Sequence, residues 1–173
     1  MGKRSDFTRR KMDFYATPES AVRPLLPHIP KGTIYCEPCA GEGDLIGHLL
    51  ALGGHHCIAA YDAEIGPWKR IDASWLMEDD LSGAEMIITN PPWDRPVLHQ
   101  IIERCALLRP TWLLFDADWM HTAQAAPHLE ICKMIVAIGR VKWFGDTSGK
   151  DNCCWYLFDA AGSPHRPVFV GRA

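Results

Sequence analysis

One pattern limits the fold more than any other: strand, glycine loop, helix, strand, acid. Residues 33–37 read as a short buried strand that runs directly into Pro38-Cys39-Ala40-Gly41-Glu42-Gly43-Asp44. A helix follows, with Leu45, Ile46, Leu49, Leu50 and Leu52 apolar, and Gly53-Gly54 ends it. A second strand, 57–61, stops at Asp62. A strand–helix–strand unit of this kind predicts a parallel sheet with helices packed on it. Gly41 and Gly43 let the backbone approach a ligand closely. Asp62 falls about twenty residues beyond them, the spacing expected of a carboxylate that binds ribose hydroxyls. The loop is not Gly-x-Gly-x-x-Gly, so a pyrophosphate-bearing dinucleotide is not the expected ligand.

The alternation continues along the chain. Thr17 reads as the N-cap of a first helix with Pro18 at its first position, and Pro24 kinks or shortens it. A weak third strand lies near Arg70-Ile71, followed by Asp72, and a fourth at 86–89. A helix opened by Pro96 shows Val97, Leu98, Ile101, Ile102, Cys105 and Leu108 on one face. Further strands are expected at 111–115, ending at Asp116, at 133–138 and at 153–158, with a short helix at 121–128. The fold expected is an α/β sandwich with a mostly parallel sheet. Ligands bind such sheets beyond the carboxyl ends of the strands, where Gly41, Asp62, Asp72, Asn90 and Asp116 fall. The sequence predicts a flexible basic arm at 1–13, a single domain at 14–160 and a tail at 161–173.

The strand at 86–89 ends abruptly in Asn90-Pro91-Pro92-Trp93. Two prolines terminate a sheet ladder and fix the backbone that follows. They leave carbonyl acceptors unopposed by N–H groups, and Asn90 adds another acceptor beside the flat ring of Trp93. That cluster suits a planar, amine-bearing substrate held by stacking and gripped at its NH2 group. Asn-Pro is also an ordinary turn opener.

Composition narrows the classes further. No apolar run in the 173 residues is long enough to span a bilayer, and the first residues lack the layout of a secretory signal. A cytoplasmic protein is expected, with its seven cysteines reduced. Cys36 and Cys39 have metal-ligand spacing but no second close pair, so no metal site is expected. The net charge of −3 argues against nucleic-acid binding by global charge alone. The first eleven residues are nonetheless locally basic, with Lys3, Arg4, Arg9, Arg10 and Lys11 against Asp6.

Taken in order, Phe14-Tyr15-Ala16-Thr17-Pro18, Glu37-Pro38-x-Ala40-Gly41-x-Gly43, Asp62, Asp72 and Asn90-Pro91-Pro92-Trp93 resemble the class I S-adenosylmethionine-dependent amino-methyltransferases. The chain is most similar to the small phage-type DNA N6-adenine enzymes. Arg140-Val141-Lys142-Trp143-Phe144, Gly149 to Asn152 and Trp155 extend the resemblance, which covers roughly residues 11–159. It implies a Rossmann-like sandwich of seven strands, one of them antiparallel, with helices on both faces. It also implies S-adenosylmethionine as cofactor and S-adenosylhomocysteine as product. Tyr15, Thr17 and Pro18 would wall the cofactor pocket. Glu37, Pro38 and the backbone of Ala40, Gly41 and Gly43 would surround the methionine moiety. Asp62 would take the ribose, Ala63 would lie beside the adenine ring, and Asp72 would accept from its amine. Asn90, also beside the cofactor, would hold the target base together with Pro91, Pro92 and Trp93. Pro38-Cys39 is not the nucleophile pair of cytosine-C5 enzymes, which follows the fourth strand rather than the first.

The implied reaction is methyl transfer to the N6 amine of adenine in DNA. No separate target-recognition domain is expected, so sequence specificity should be low. Base reading then falls to the 139–152 loop and the N-terminal arm. Arg9, Arg10, Lys11, Arg140, Lys142 and Lys150 are the candidate phosphate contacts, although each also reads as an ordinary solvated charge. RNA adenine, the glutamine side chain of a protein, and a scaffold that binds cofactor without turnover are the alternatives.

Overall fold

The computed structural model describes residues 15–64, 66–143, 151–162 and 166–172. The basic arm, with Arg9, Arg10 and Lys11, and Lys150 in the late loop lie outside the described residues.

Eight strands form one sheet: β1 (Ile34–Glu37), β2 (His56–Asp62), β3 (Lys69–Arg70), β4 (Met86–Thr89), β5 (Thr111–Asp116), β6 (Cys132–Arg140), β7 (Asn152–Phe158) and β8 (Val168–Val170). Their spatial order is β3-β2-β1-β4-β5-β7-β6-β8. Strands β1 to β5 run parallel, β7 is antiparallel to both β5 and β6, and β8 is parallel to β6. The chain leaves β1 toward β2 and β3, then returns to lay β4 on the other side of β1. That reversal opens a crevice between the carboxyl ends of β1 and β4.

Side chains alternate across the sheet with the period of two that strands impose. Ile87, Leu113 and Phe115 face one apolar layer with Leu98, Ile101, Ile102 and Cys105 of α3 (Arg95–Leu108). Ile88, Trp112 and Leu114 face the other layer, with Ala21 and Val22 of α1 (Glu19–Val22) and Leu45 and Leu49 of α2 (Asp44–Gly53). The result is the expected three-layer sandwich. A dense aromatic group, Phe115, Trp119, Tyr156 and Phe158, fills the first layer beneath β5 and β7.

Three sequence expectations are corrected. The sheet has eight strands rather than seven, because Val168–Val170 adds to β6 from a segment that reads as tail. Three residues are too few for a periodic signal, and Pro167 precedes them. At the N-terminal side, Pro18 rather than Thr17 is the cap residue, and no side-chain cap bond forms. The helix gives way after Val22 to a 3-10 turn, Arg23–His28, which carries Pro24 and Pro27. Finally, the helix expected at 121–128 breaks into two 3-10 turns, Ala117–His121 and Ala123–Ala125, before α4 (Ala126–Leu129).

Candidate active site

The glycine loop after β1 is shaped by the end of β2. Ala40 N–H donates to the Tyr61 carbonyl at 2.8 Å, and Gly41 N–H donates to Asp62 Oδ2 at 2.9 Å. The other oxygen of Asp62 accepts from Glu64 N–H at 2.9 Å. Gly41 and Gly43 both take left-handed backbone angles, φ 54° and 92°, which favour glycine. The next loop packs against them: Trp68 Nε1 donates to the Gly41 carbonyl at 2.9 Å. A Cβ at Gly66 would come within 2.2 Å of that same carbonyl, so only glycine permits this approach. Sequence reasoning misses both Gly66 and Trp68, since a lone Gly-Pro pair signals only a turn.

A pocket opens beside this loop, at the crevice between β1 and β4. It is lined by Tyr15, Thr17, Glu37, Pro38, Ala40, Gly41, Asp62, Ala63, Asp72, Asn90 and Pro92, all singled out in the sequence. Pro18, Gly43, Pro91 and Trp93 are not among the lining residues. Of the lining residues that the sequence reading passes over, Glu42, Asp44 and Glu64 add charge. Six acidic side chains therefore line this space, Glu37, Glu42, Asp44, Asp62, Glu64 and Asp72, and no lysine or arginine among the described residues does. Glu37 is 1% exposed, and its Oε2 has no hydrogen-bond partner among the described residues. Burial, reinforced by Asp62 and Asp44, holds its carboxyl well above the usual carboxylate range. Asp72 caps the 3-10 turn Ala73–Trp75 by accepting from Ser74 N–H at 2.9 Å and Ser74 Oγ at 2.7 Å.

Asn90 closes the far wall. Its amide nitrogen donates to the Tyr15 carbonyl at 3.3 Å and to Thr17 Oγ1 at 3.2 Å. Thr17 thus serves the site instead of capping α1. The N-terminal segment is anchored behind it by buried Trp155, whose Nε1 donates to the Ala21 carbonyl at 2.8 Å. Asn90 Oδ1 faces Trp93 Nε1 at 3.4 Å, but that N–H lies closer to the Leu114 carbonyl, at 3.2 Å. The indole of Trp93 is therefore turned into the sheet, half-buried against both apolar layers. Trp143 packs edge-on to it at 5.7 Å, and Tyr15 lies 6.1 Å from Trp143. An aromatic rim of three rings borders Asn90, where the sequence points to Trp93 alone.

Arg140 and Lys142 are exposed at the carboxyl end of β6, on the site's side of the sheet but beyond β5 and β7. Arg172, which no sequence signal marks, reaches the same edge from β8. Its guanidinium occupies the space over Gly139, 3.1 Å from where a Cβ would stand. Cys39 lines the pocket, and burial pushes its thiol up. Among the described residues, no three His, Cys, Asp or Glu side chains are grouped to hold a metal ion, and no helix is long and apolar enough to cross a membrane.

No protein-family model matches the sequence, and no curated protein does. Solved structures do. A protein proposed to be an RNA methyltransferase from Pyrococcus horikoshii superposes with a TM-score of 0.58 at 18% identity, over 91% of this chain and 93% of that one. The type I restriction-modification methyltransferase subunit from Streptococcus thermophilus gives 0.60 at 8% identity, over 91% of this chain and 47% of that one. The M protein of the type I restriction enzyme EcoKI gives 0.54 at 12% identity, over 92% and 48%. The chain thus spans about half the length of the type I subunits it resembles. Its architecture is the Rossmann-like α/β sandwich of S-adenosylmethionine-dependent methyltransferases.

Proposed function

We propose that this protein transfers a methyl group from S-adenosylmethionine to the exocyclic N6 amine of adenine in DNA. The observation that carries the cofactor assignment is the acidity of the pocket, six acidic side chains with no lysine or arginine among the described lining residues. A cleft lined by one sign of charge concentrates the opposite sign. A sulfonium and an ammonium suit it, and a pyrophosphate is repelled. Glu37, buried and with its Oε2 unpartnered among the described residues, is the side chain that gains most from an ammonium ion, because a buried carboxylate is stable only when paired. Asp62 and Asp72 are the acceptors for a ribose and an adenine amine.

When bound, the cofactor supplies a methyl group already activated by positive sulfur, so the protein's task is to place the acceptor nitrogen. Asn90 Oδ1 has two lone pairs, and the distant Trp93 N–H takes one at most. The other, with the Pro91 carbonyl, would accept both protons of an adenine NH2 and favour a pyramidal, nucleophilic nitrogen. No strong base is required beforehand, since the proton leaves after nitrogen becomes cationic. The target base must leave its stack, which costs a few kcal/mol. Stacking on the rim of Tyr15, Trp93 and Trp143 would return about 1–3 kcal/mol. Arg140, Lys142 and Arg172 are the phosphate contacts on this reading, with Arg9, Arg10, Lys11 and Lys150 outside the described residues.

Incubation with methyl-labelled S-adenosylmethionine and, separately, duplex DNA, single-stranded DNA, RNA and a protein extract tests the proposal. Label recovered as N6-methyladenine from DNA supports it. Label confined to RNA or to protein glutamine reassigns the acceptor, and cofactor binding without any transfer would make the protein a scaffold.

A further inference from the structure

An ion pair outside the pocket lining holds the Asn90–Trp93 loop from behind. Arg95 is the first residue of α3, two positions after Trp93, and Asp116 is the last residue of β5. Arg95 Nη2 lies 2.6 Å from Asp116 Oδ2, with the two side chains 27% and 15% exposed.

Arg95 is badly placed for any purely local purpose. A cation in the first turn opposes the dipole of a 14-residue helix, and the cap residue Asp94 makes no side-chain cap bond that would help. Its second terminal nitrogen, Nη1, is buried with no hydrogen-bond partner among the described residues. Both features are unfavourable on their own account. Asp116, by contrast, is a rigid post. Its Oδ1 accepts from Trp119 N–H at 2.9 Å, and its backbone carbonyl accepts from Tyr156 Oη at 3.1 Å, both within the aromatic core. The loop between β4 and α3 is thus tied to β5 at two points, Trp93 Nε1 to the Leu114 carbonyl and Arg95 to Asp116.

We infer that Arg95 and Asp116 are a positioning pair, which fixes the start of α3 so that Asn90 and the Pro91 carbonyl stand where an acceptor amine must be held. This rests on the reading of the site given above. Neither residue touches substrate; both act through the loop.

Two substitutions isolate the pair. Asp116→Asn keeps an oxygen to cap Trp119 N–H and replaces the charged oxygen that accepts from Arg95 with an NH2 that cannot. Arg95→Lys keeps the charge and loses the planar fork. In Asp116→Asn, hydrogen exchange at amides in 90–98 should rise about fivefold. Its kcat should fall between about tenfold and a hundredfold, while cofactor Kd stays within about twofold. Arg95→Lys should fall between wild type and Asp116→Asn. Unchanged exchange across 90–98, or kcat and cofactor affinity lost in step, overturns the inference. If the wild-type protein methylates no acceptor, the proposed function fails, and the exchange measurement still decides whether the pair holds the loop.

Discussion

Glu37 concentrates the chemistry of the pocket in one side chain. Burial and the nearby Asp62 and Asp44 keep its proton on in the ligand-free protein, at pH values where an unfolded chain has released it. With the folded-state value raised, the contribution to stability is complete below the ordinary carboxylate range and is lost as pH rises from there. Glu37→Gln should therefore raise the Tm of the ligand-free protein at pH 8, with the gain shrinking toward pH 4.5. The same substitution should weaken S-adenosylmethionine about tenfold or more at pH 8, and should flatten the rise of wild-type affinity with pH. Scanning calorimetry from about pH 4.5 to 8 reads the Tm difference, and calorimetric titration from about pH 6 to 8.5 reads the two affinities. A variant that binds as tightly as wild type would remove Glu37 from the cofactor site. At this scale the sequence marks residue types well and their partners poorly. Asn90, Asp62 and Glu37 stand out because polar side chains end apolar strands. Nothing local reveals that Thr17 serves Asn90 rather than α1, because that bond joins residues distant in sequence.

Elements with strong periodicity are legible from residue order alone. The strand at 86–89 and the helix ending at Leu108 follow their apolar patterns closely. The three-residue β8 and the 3-10 turns are not legible, since their stability comes from a neighbouring strand or a core aromatic rather than from their own sequence. Gly66 illustrates the gap. Its φ of 81° and its contact with the Gly41 carbonyl set the spacing between two loops. Gly66→Ala should push the Trp68 loop off the glycine loop, cost about 1–2 kcal/mol of stability through the left-handed backbone alone, and weaken cofactor binding. Chemical denaturation and cofactor titration together measure it. The α3–α4 contact makes a second expectation. His99 accepts from Trp119 Nε1 at 3.0 Å and stands edge-on to buried His128 at 4.4 Å. Burial lowers both imidazoles, with Arg95 adding to the effect on His99 and His99 to that on His128. The unfolded chain then binds more protons than the folded one, so stability is full above the ordinary histidine range and falls as pH drops through it. Between pH 7.5 and 5.5, wild type should lose more Tm than His128→Leu. Parallel curves would show that the pair carries no acid sensitivity.

At the scale of the whole sheet, charge among the described residues is spread unevenly along the carboxyl edge, which the net charge of −3 conceals. Acids gather at the carboxyl ends of β1 and β2, while Arg140, Lys142 and Arg172 stand at the carboxyl ends of β6 and β8, across the aromatic rim. On the proposed reading a cationic cofactor and a polyanionic substrate would be drawn to opposite sides of the aromatic rim, where Trp143 packs on Trp93. The eighth strand has a purpose on this view, because pairing with β6 carries Arg172 over Gly139. Arg140 and Arg172 have no ion-pair partner among the described residues. Each phosphate contact releases counterions and contributes about −0.9 to the slope of log K against log salt. The double variant Arg140→Gln/Arg172→Gln should flatten that slope by about 1.8 on duplex DNA between roughly 50 and 200 mM salt. Cofactor affinity should stay unchanged, and Arg172→Gln alone should account for about half the effect. Fluorescence anisotropy with a labelled duplex reads the slope directly. A double variant with the wild-type slope would mean that the nucleic-acid backbone does not follow the β6–β8 edge, and that the eighth strand serves only to cover β6.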